Sequence, residues 1–147
     1  MKKILMTAMT MSISEVMETM FFMPVEIGPE TILKDSGIDL DSALACRLKF
    51  TGDVNGHINI ISPQPLAAVL ASNFLGESQD DLTMEQQFGT LSEMLNMVCG
   101  NALKKVKCRE PYKLDIPENI AVSDLNRTSE CTVIETMESN MAMVLSV

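Results

Sequence analysis

Residues 89–101, GTLSEMLNMVCGN, read as the middle of the longest helix in the carboxyl-terminal half of a 147-residue chain. At roughly 100° per residue, Phe88, Leu91, Leu95, Val98 and Ala102 gather in one narrow apolar stripe. Glu93 falls almost opposite that stripe, with Asn96, Gly89 and Gly100 beside it. Residues three apart share a helix face, so an acid, an amide and two missing side chains stand together away from the core. Such a face suits a partner that approaches closely.

The rest of the chain is read outward from this helix. Thr83 and Gln86 have the spacing of a capping box ahead of it, and it is expected to run to about Val106. Lys104, Lys105 and Lys107 gather at its end, where cations complement the helix dipole. Upstream, Ser62 reads as the N-cap of a shorter helix with Pro63 near its first position. Leu66, Val69, Leu70 and Phe74 form its buried face, and Gly76 is its stop. Before that the period changes to two: Leu44, Cys46, Leu48 and Phe50 alternate with Ala45, Arg47 and Lys49. Residues 57–61 follow the turn-forming stretch Gly52 to Gly56, which makes a β-hairpin. His57, the only histidine, is placed on its outward side as a solvated strand residue.

A first helix follows from Ile13, Val16, Met17, Met20 and Phe21, extended back through Ile4, Leu5, Ala8 and Met9. It ends ahead of Pro24, which disfavours helix in the preceding residue. Ser12 and Glu15 also show capping-box spacing. Residues 25–41 read as an irregular connection with a short strand. After Pro111 three strands are expected, around 117–123, 132–137 and 141–147, with 138–140 as the turn between the last two. Hairpins without regular β-α-β alternation give an α+β fold: one domain over residues 1–147, a mainly antiparallel sheet packed by two long helices and one shorter one.

Composition narrows the function. A formal net charge of −9 argues against nucleic acid, whose phosphates call for a basic surface. Cys46, Cys99, Cys108 and Cys131 are dispersed without a C-x-x-C, so they are expected as reduced thiols, and no metal set is expected. Thirteen Met residues and no Trp point to a core filled by flexible side chains. No stretch approaches the roughly 20 apolar residues that span a bilayer, and a cytoplasmic location is expected.

At Glu93-Met-Leu-Asn96 followed by Gly100-Asn101 the sequence resembles the CheC/CheX/FliY chemotaxis phosphatases, CheX most closely. Their active helix carries Asp or Ser, three residues, Glu, two residues, Asn, and a Pro some twenty residues later. Glu93, Asn96 and Pro117 fit; Gly89 stands where Asp or Ser is usual. Ser14-x-x-x-Glu18-x-x-Phe21 in the first helix looks like the same pattern with its Asn lost. The resemblance implies a phosphatase of a phospho-aspartyl CheY-like response regulator. Asn96 would orient the attacking water and Glu93 would hold the regulator's active-site Lys. Gly89, Gly100, Asn101 and Lys104 are the expected partner-binding positions. The chain is expected to bring no cofactor of its own, with magnesium carried by the regulator. A homodimer joining its sheets across an edge is also implied, and the uncharged terminal strand 141–147 would be an exposed liability unless paired, with the edge used left open by the sequence. The alternative is a non-catalytic module that binds a regulator or a flagellar-type partner.

Overall fold

The computed structural model describes residues 1–147. Three helices, α1 (Lys2–Met20), α2 (Gln64–Leu75) and α3 (Met84–Lys104), pack on a seven-stranded antiparallel sheet. The strands are β1 (Glu26–Ile32), β2 (Ala43–Thr51), β3 (Gly56–Pro63), β4 (Lys113–Leu114), β5 (Glu118–Ile120), β6 (Glu130–Glu135) and β7 (Asn140–Ser146). Their order is β1-β6-β7-β3-β2-β4, with β5 also paired to β2. The expected α+β architecture is therefore present.

Period-two patterning built the hairpin as expected: β2 and β3 pair from Ala43 with Pro63 to Phe50 with Gly56. Cys46, Leu48, Phe50, Ile58 and Ile60 face the helices, together with Met141, Met143 and Leu145 of β7. A smaller core lies on the other face, where Leu33, Ile38, Leu40 and Leu125 cover Ala45, Ile61, Ala142 and Val144. Of the thirteen Met residues, Met9, Met17, Met23, Met94, Met141 and Met143 are buried, the core-filling role expected of them.

This arrangement corrects the reading of the terminal strand. β7 is central, between β6 and β3, and its alternate residues are buried in the two cores. A strand covered on both faces reads as a continuous apolar run, so the lack of charge marked an interior strand, and the edge argument for a dimer falls. The edges are β1 and the short pair β4 and β5. β1, within the stretch read as mostly irregular, carries Glu26, Pro29, Glu30 and a register shift between Ile27 and Glu30. Charge, proline and irregularity all blunt an edge against further pairing.

Helix ends divide between agreement and correction. Gln86 N–H donates to Thr83 Oγ1 at 3.1 Å, and Thr83 N–H to Gln86 Oε1 at 2.9 Å, which closes the expected capping box. Gly76 ends α2 at φ 71°, a left-handed conformation that glycine adopts without a Cβ clash. Ser62, by contrast, is a buried residue of β3, and α2 is capped by Pro63 without a side-chain bond. Ser12 lies inside α1, fully buried, so the Ser12–Glu15 spacing caps nothing. α3 stops at Lys104 instead of Val106.

Candidate active site on helix α3

α3 is positioned by burial of one wide arc. Leu91, Met94, Leu95, Val98, Cys99 and Ala102 are all fully buried, while Phe88 packs partly buried at the margin. The arc is wider than the expected stripe because β2 lies beneath the helix while α1 and α2 flank it. What remains open is the face with Gly89 and Glu93, both exposed, and Asn96 and Gly100, both half-buried. Lys104 is exposed in the last turn.

The three ion pairs of the chain join Lys49 to Glu118, Lys105 to Glu15 and Arg127 to Asp41. The Glu93 carboxylate is in none of them and is free to meet a cation from outside. A Cβ added at Gly89 or at Gly100 would meet no atom within 4 Å. Glycine inside a helix costs roughly 0.5–1 kcal/mol relative to Ala, and no neighbour within the chain requires either one. Their small size leaves room above the helix.

Asn101 has a different setting from the other site residues. Its amide donates to Glu15 Oε2 at 2.9 Å, and Lys105 Nζ lies 3.0 Å from Glu15 Oε1. The Asn101 bond first, and Lys105 second, hold the Glu15 carboxyl below the usual glutamate range. Asn101 thus fastens α3 to α1, a role that spacing alone did not reveal.

A further contact lies under the first half of the motif. Cys46 Sγ of β2 is 3.5 Å from Asn119 Oδ1, 3.7 Å from Ser92 Oγ and 3.8 Å from the Phe88 carbonyl. Burial pushes this thiol up to about 11, which keeps it a neutral hydrogen-bonding group. It ties β5, the segment that follows Pro117, to the turns of α3 that carry Gly89 and Glu93. Sequence reasoning missed this link because it joins three distant stretches of chain.

Two other features lie apart from the motif. His57 is on the sheet face opposite Ile58 and Ile60, half-buried with its Nδ1 unpartnered, so it is less solvated than expected. Burial first, then Arg47 and Lys49, hold it below the ordinary histidine range. An open groove of about 540 Å³ lies between the amino-terminal half of α1 and strands β1 and β6, lined in part by Lys3, Met6, Thr10, Glu30 and Thr132. No helix is long and apolar enough to cross a membrane.

The fold is similar to that of several solved structures. The chain is similar in fold to a chemotactic CheC-like protein from Shewanella oneidensis MR-1, at 18% identity and TM-score 0.75, covering 99% of this chain and 98% of that one. It is also similar to the chemotaxis protein CheX from Desulfovibrio desulfuricans, at 14% identity and TM-score 0.73, with 97% of each chain covered. A third structure, a CheX–CheY–BeF3–Mg complex from Borrelia burgdorferi, matches at 17% identity and TM-score 0.72, again over 97% of each chain. No curated protein sequence matches the chain. The family profile for chemotaxis phosphatase CheX matches residues 44–137, a span that includes the hairpin but for its first residue, α2, the whole of α3 and Pro117. The chain belongs to the CheX family of chemotaxis phosphatases.

Proposed function

We propose that this protein hydrolyses the phospho-aspartate of a CheY-like response regulator, with Asn96 orienting the attacking water and Glu93 docking the regulator's active-site Lys. The observation that carries the reading is the open face of α3. There an unpaired, exposed Glu93 and the Asn96 amide stand one turn apart, flanked by glycines with free space above them. The Borrelia relative is a complex with CheY, which supports a receiver domain as the partner.

An acyl phosphate is already reactive. Phosphoryl transfer to water needs the nucleophile in line with the breaking bond and little covalent help from the protein. An amide both donates and accepts hydrogen bonds without titrating in the physiological range, so Asn96 can hold a water in line. Water attacks phosphorus, the P–O bond to the aspartyl carboxyl breaks, and the regulator's carboxylate and inorganic phosphate are released. Magnesium belongs to the regulator in this scheme and supplies charge neutralisation there. Gly100 and Lys104 border the docked surface, and Asn101 supports it by fixing α3 to α1. The reaction is assigned to the cytoplasm, where the regulator works. A homodimer is retained in the proposal on family likeness, with light scattering as its check.

The test is phosphate loss from a phosphorylated CheY-type receiver with and without the protein. The expected result is acceleration that Asn96→Ala reduces by on the order of a hundredfold, the scale of losing a positioning contact. Glu93→Ala should weaken receiver binding as well as rate. No acceleration by the native protein, or full acceleration by Asn96→Ala, overturns the catalytic reading. Gly89, in the position where the family pattern has Asp or Ser, favours one second reading: a binding module that captures the receiver and leaves the phosphate's lifetime unchanged.

A further inference from the structure

Phe22 is the one non-glycine residue with positive φ, at 54°. For a bulky side chain this left-handed conformation is an outlier, since Cβ crowds the following carbonyl. The residue is not in a loose tail. Phe21 N–H and Met23 N–H both donate to the Met17 carbonyl, at 3.2 and 3.1 Å, and Asn73 Nδ2 donates to the Phe21 carbonyl at 2.9 Å. Phe21 is fully buried and stacks on Phe74 with ring centroids 5.0 Å apart. Phe22, the next residue, is 71% exposed. The fold thus holds an aromatic ring out in water on a backbone that glycine would occupy without strain. The left-handed turn closes the end of the helix, which glycine would do as well, but the exposed ring itself is required by no contact inside the chain.

Its position along the helix pair is informative. Glu15 meets both Asn101 and Lys105, while Ile4, Ala8 and Met11 share a surface hollow with Lys105 and Val106. α1 and α3 are therefore antiparallel, with Glu15 level with the middle of Asn101 and Lys105. Five residues further, about 7 Å at a helical rise, α1 ends at Met20 level with Val98 of α3, which puts Phe22 at the end of the helix pair nearest Asn96. Packed helices lie about 8–10 Å apart. A typical interface covers about 800 Å² of each partner, a disc of about 16 Å radius, so a receiver centred on Asn96 would extend over the end of α1. Glu18 in the last turn of α1 and Met20 at its end are exposed, as is Leu75 at the end of α2, which the Asn73 bond brings against Phe21.

We propose that Phe22 is a docking anchor for the response regulator, extending the α3 site across the end of α1. It is matched by a receiver surface with an apolar recess beside cationic groups that meet Glu18 and Glu93. The inference rests on the phosphatase reading for its partner, and concerns affinity and not the chemical step.

The experiment titrates native protein, Phe22→Gly, Phe22→Tyr and Asn96→Ala with a CheY-type receiver domain activated by beryllium fluoride and magnesium, and records the thermal midpoint of each. Expected for Phe22→Gly is a Tm raised by about 2–4 °C as backbone strain is relieved, together with affinity at least tenfold weaker. In turnover with the phosphorylated receiver the loss falls on KM. Phe22→Tyr keeps the affinity, because ring area is what anchors. A structural residue cannot give higher stability and weaker binding together. Unchanged affinity in Phe22→Gly, with native protein binding and Asn96→Ala inactive, overturns the anchor and leaves the phosphatase reading standing. A lowered Tm in Phe22→Gly overturns it by showing that the ring supports the fold. Native protein that neither binds nor dephosphorylates the receiver overturns both.

Discussion

The Asn101 side chain donates to Glu15 Oε2 at 2.9 Å while Lys105 reaches Glu15 Oε1 at 3.0 Å, so one carboxylate on α1 holds the last turn of α3 and the residue that caps it. This clasp sets the angle at which the motif face is presented. It also makes Glu15 the link between helix packing and the site.

The clasp has a pH signature. The Glu15 carboxyl is held below the ordinary glutamate range by Asn101 and Lys105. Its contribution is therefore complete above the unfolded-state value and is lost as pH falls through its lowered folded value. Glu15→Gln should melt slightly below the native protein at pH 7 and level with it once the carboxylate is protonated. Thermal melts at neutral and acid pH check this; a difference that persists in acid would show that the effect is not ionic.

The glycines of the open face should be replaceable as far as folding is concerned. A Cβ at Gly89 or Gly100 meets no atom, so each change to Ala should stabilise by about 0.5–1 kcal/mol, read as a rise in Tm of about 2–4 °C. Gly100→Trp should fold but fail to bind a receiver, because the space it fills is where the partner approaches. Tight binding by that variant would move the docking surface elsewhere.

Opposite faces of the same helix should respond unequally to truncation. Leu95 is fully buried, and Leu95→Ala should destabilise by about 2–5 kcal/mol through lost burial and a cavity. Glu93 is exposed and unpaired, so Glu93→Ala should stay within about 0.5 kcal/mol of native. Urea unfolding of the two variants measures both, and comparable losses would contradict the orientation of α3.

Thiol reactivity should divide the cysteines one against three. Burial pushes Cys46 up to about 11 and Cys99 up to about 12, and raises Cys131 as well, whereas Cys108 is exposed. Because the thiolate is the reactive form, an aromatic disulfide reagent at pH 8 should titrate one thiol in the native state and four after unfolding. Rapid modification of Cys46 in the native state would show that β5 opens away from α3.

The sequence by itself determined the elements whose signals are local. α3 and its capping box follow from Thr83, Gln86 and the apolar periodicity of Leu91, Leu95 and Val98. The β2–β3 hairpin follows from period-two alternation. The open face with Glu93 and Asn96 follows from helical geometry, since whatever lies opposite a buried stripe faces solvent.

Tertiary structure decided what depends on pairing partners distant in the chain. The uncharged run Met141 to Leu145 fits an interior strand but is also compatible with an edge; only pairing with β3 and β6 settles it. Ser62 had every local mark of an N-cap, yet its pairing with Leu44 keeps it in β3. Asn101 could be assigned to Glu15, and Cys46 to Asn119 and Ser92, only when α1, α3, β2 and β5 were brought together. Hydrogen bonds between residues tens of positions apart depend on packing, which one stretch of sequence does not encode. Phe22 shows the same division: its aromatic character was plain in the chain, but its left-handed backbone and exposure arise from where Phe21 and Asn73 are held.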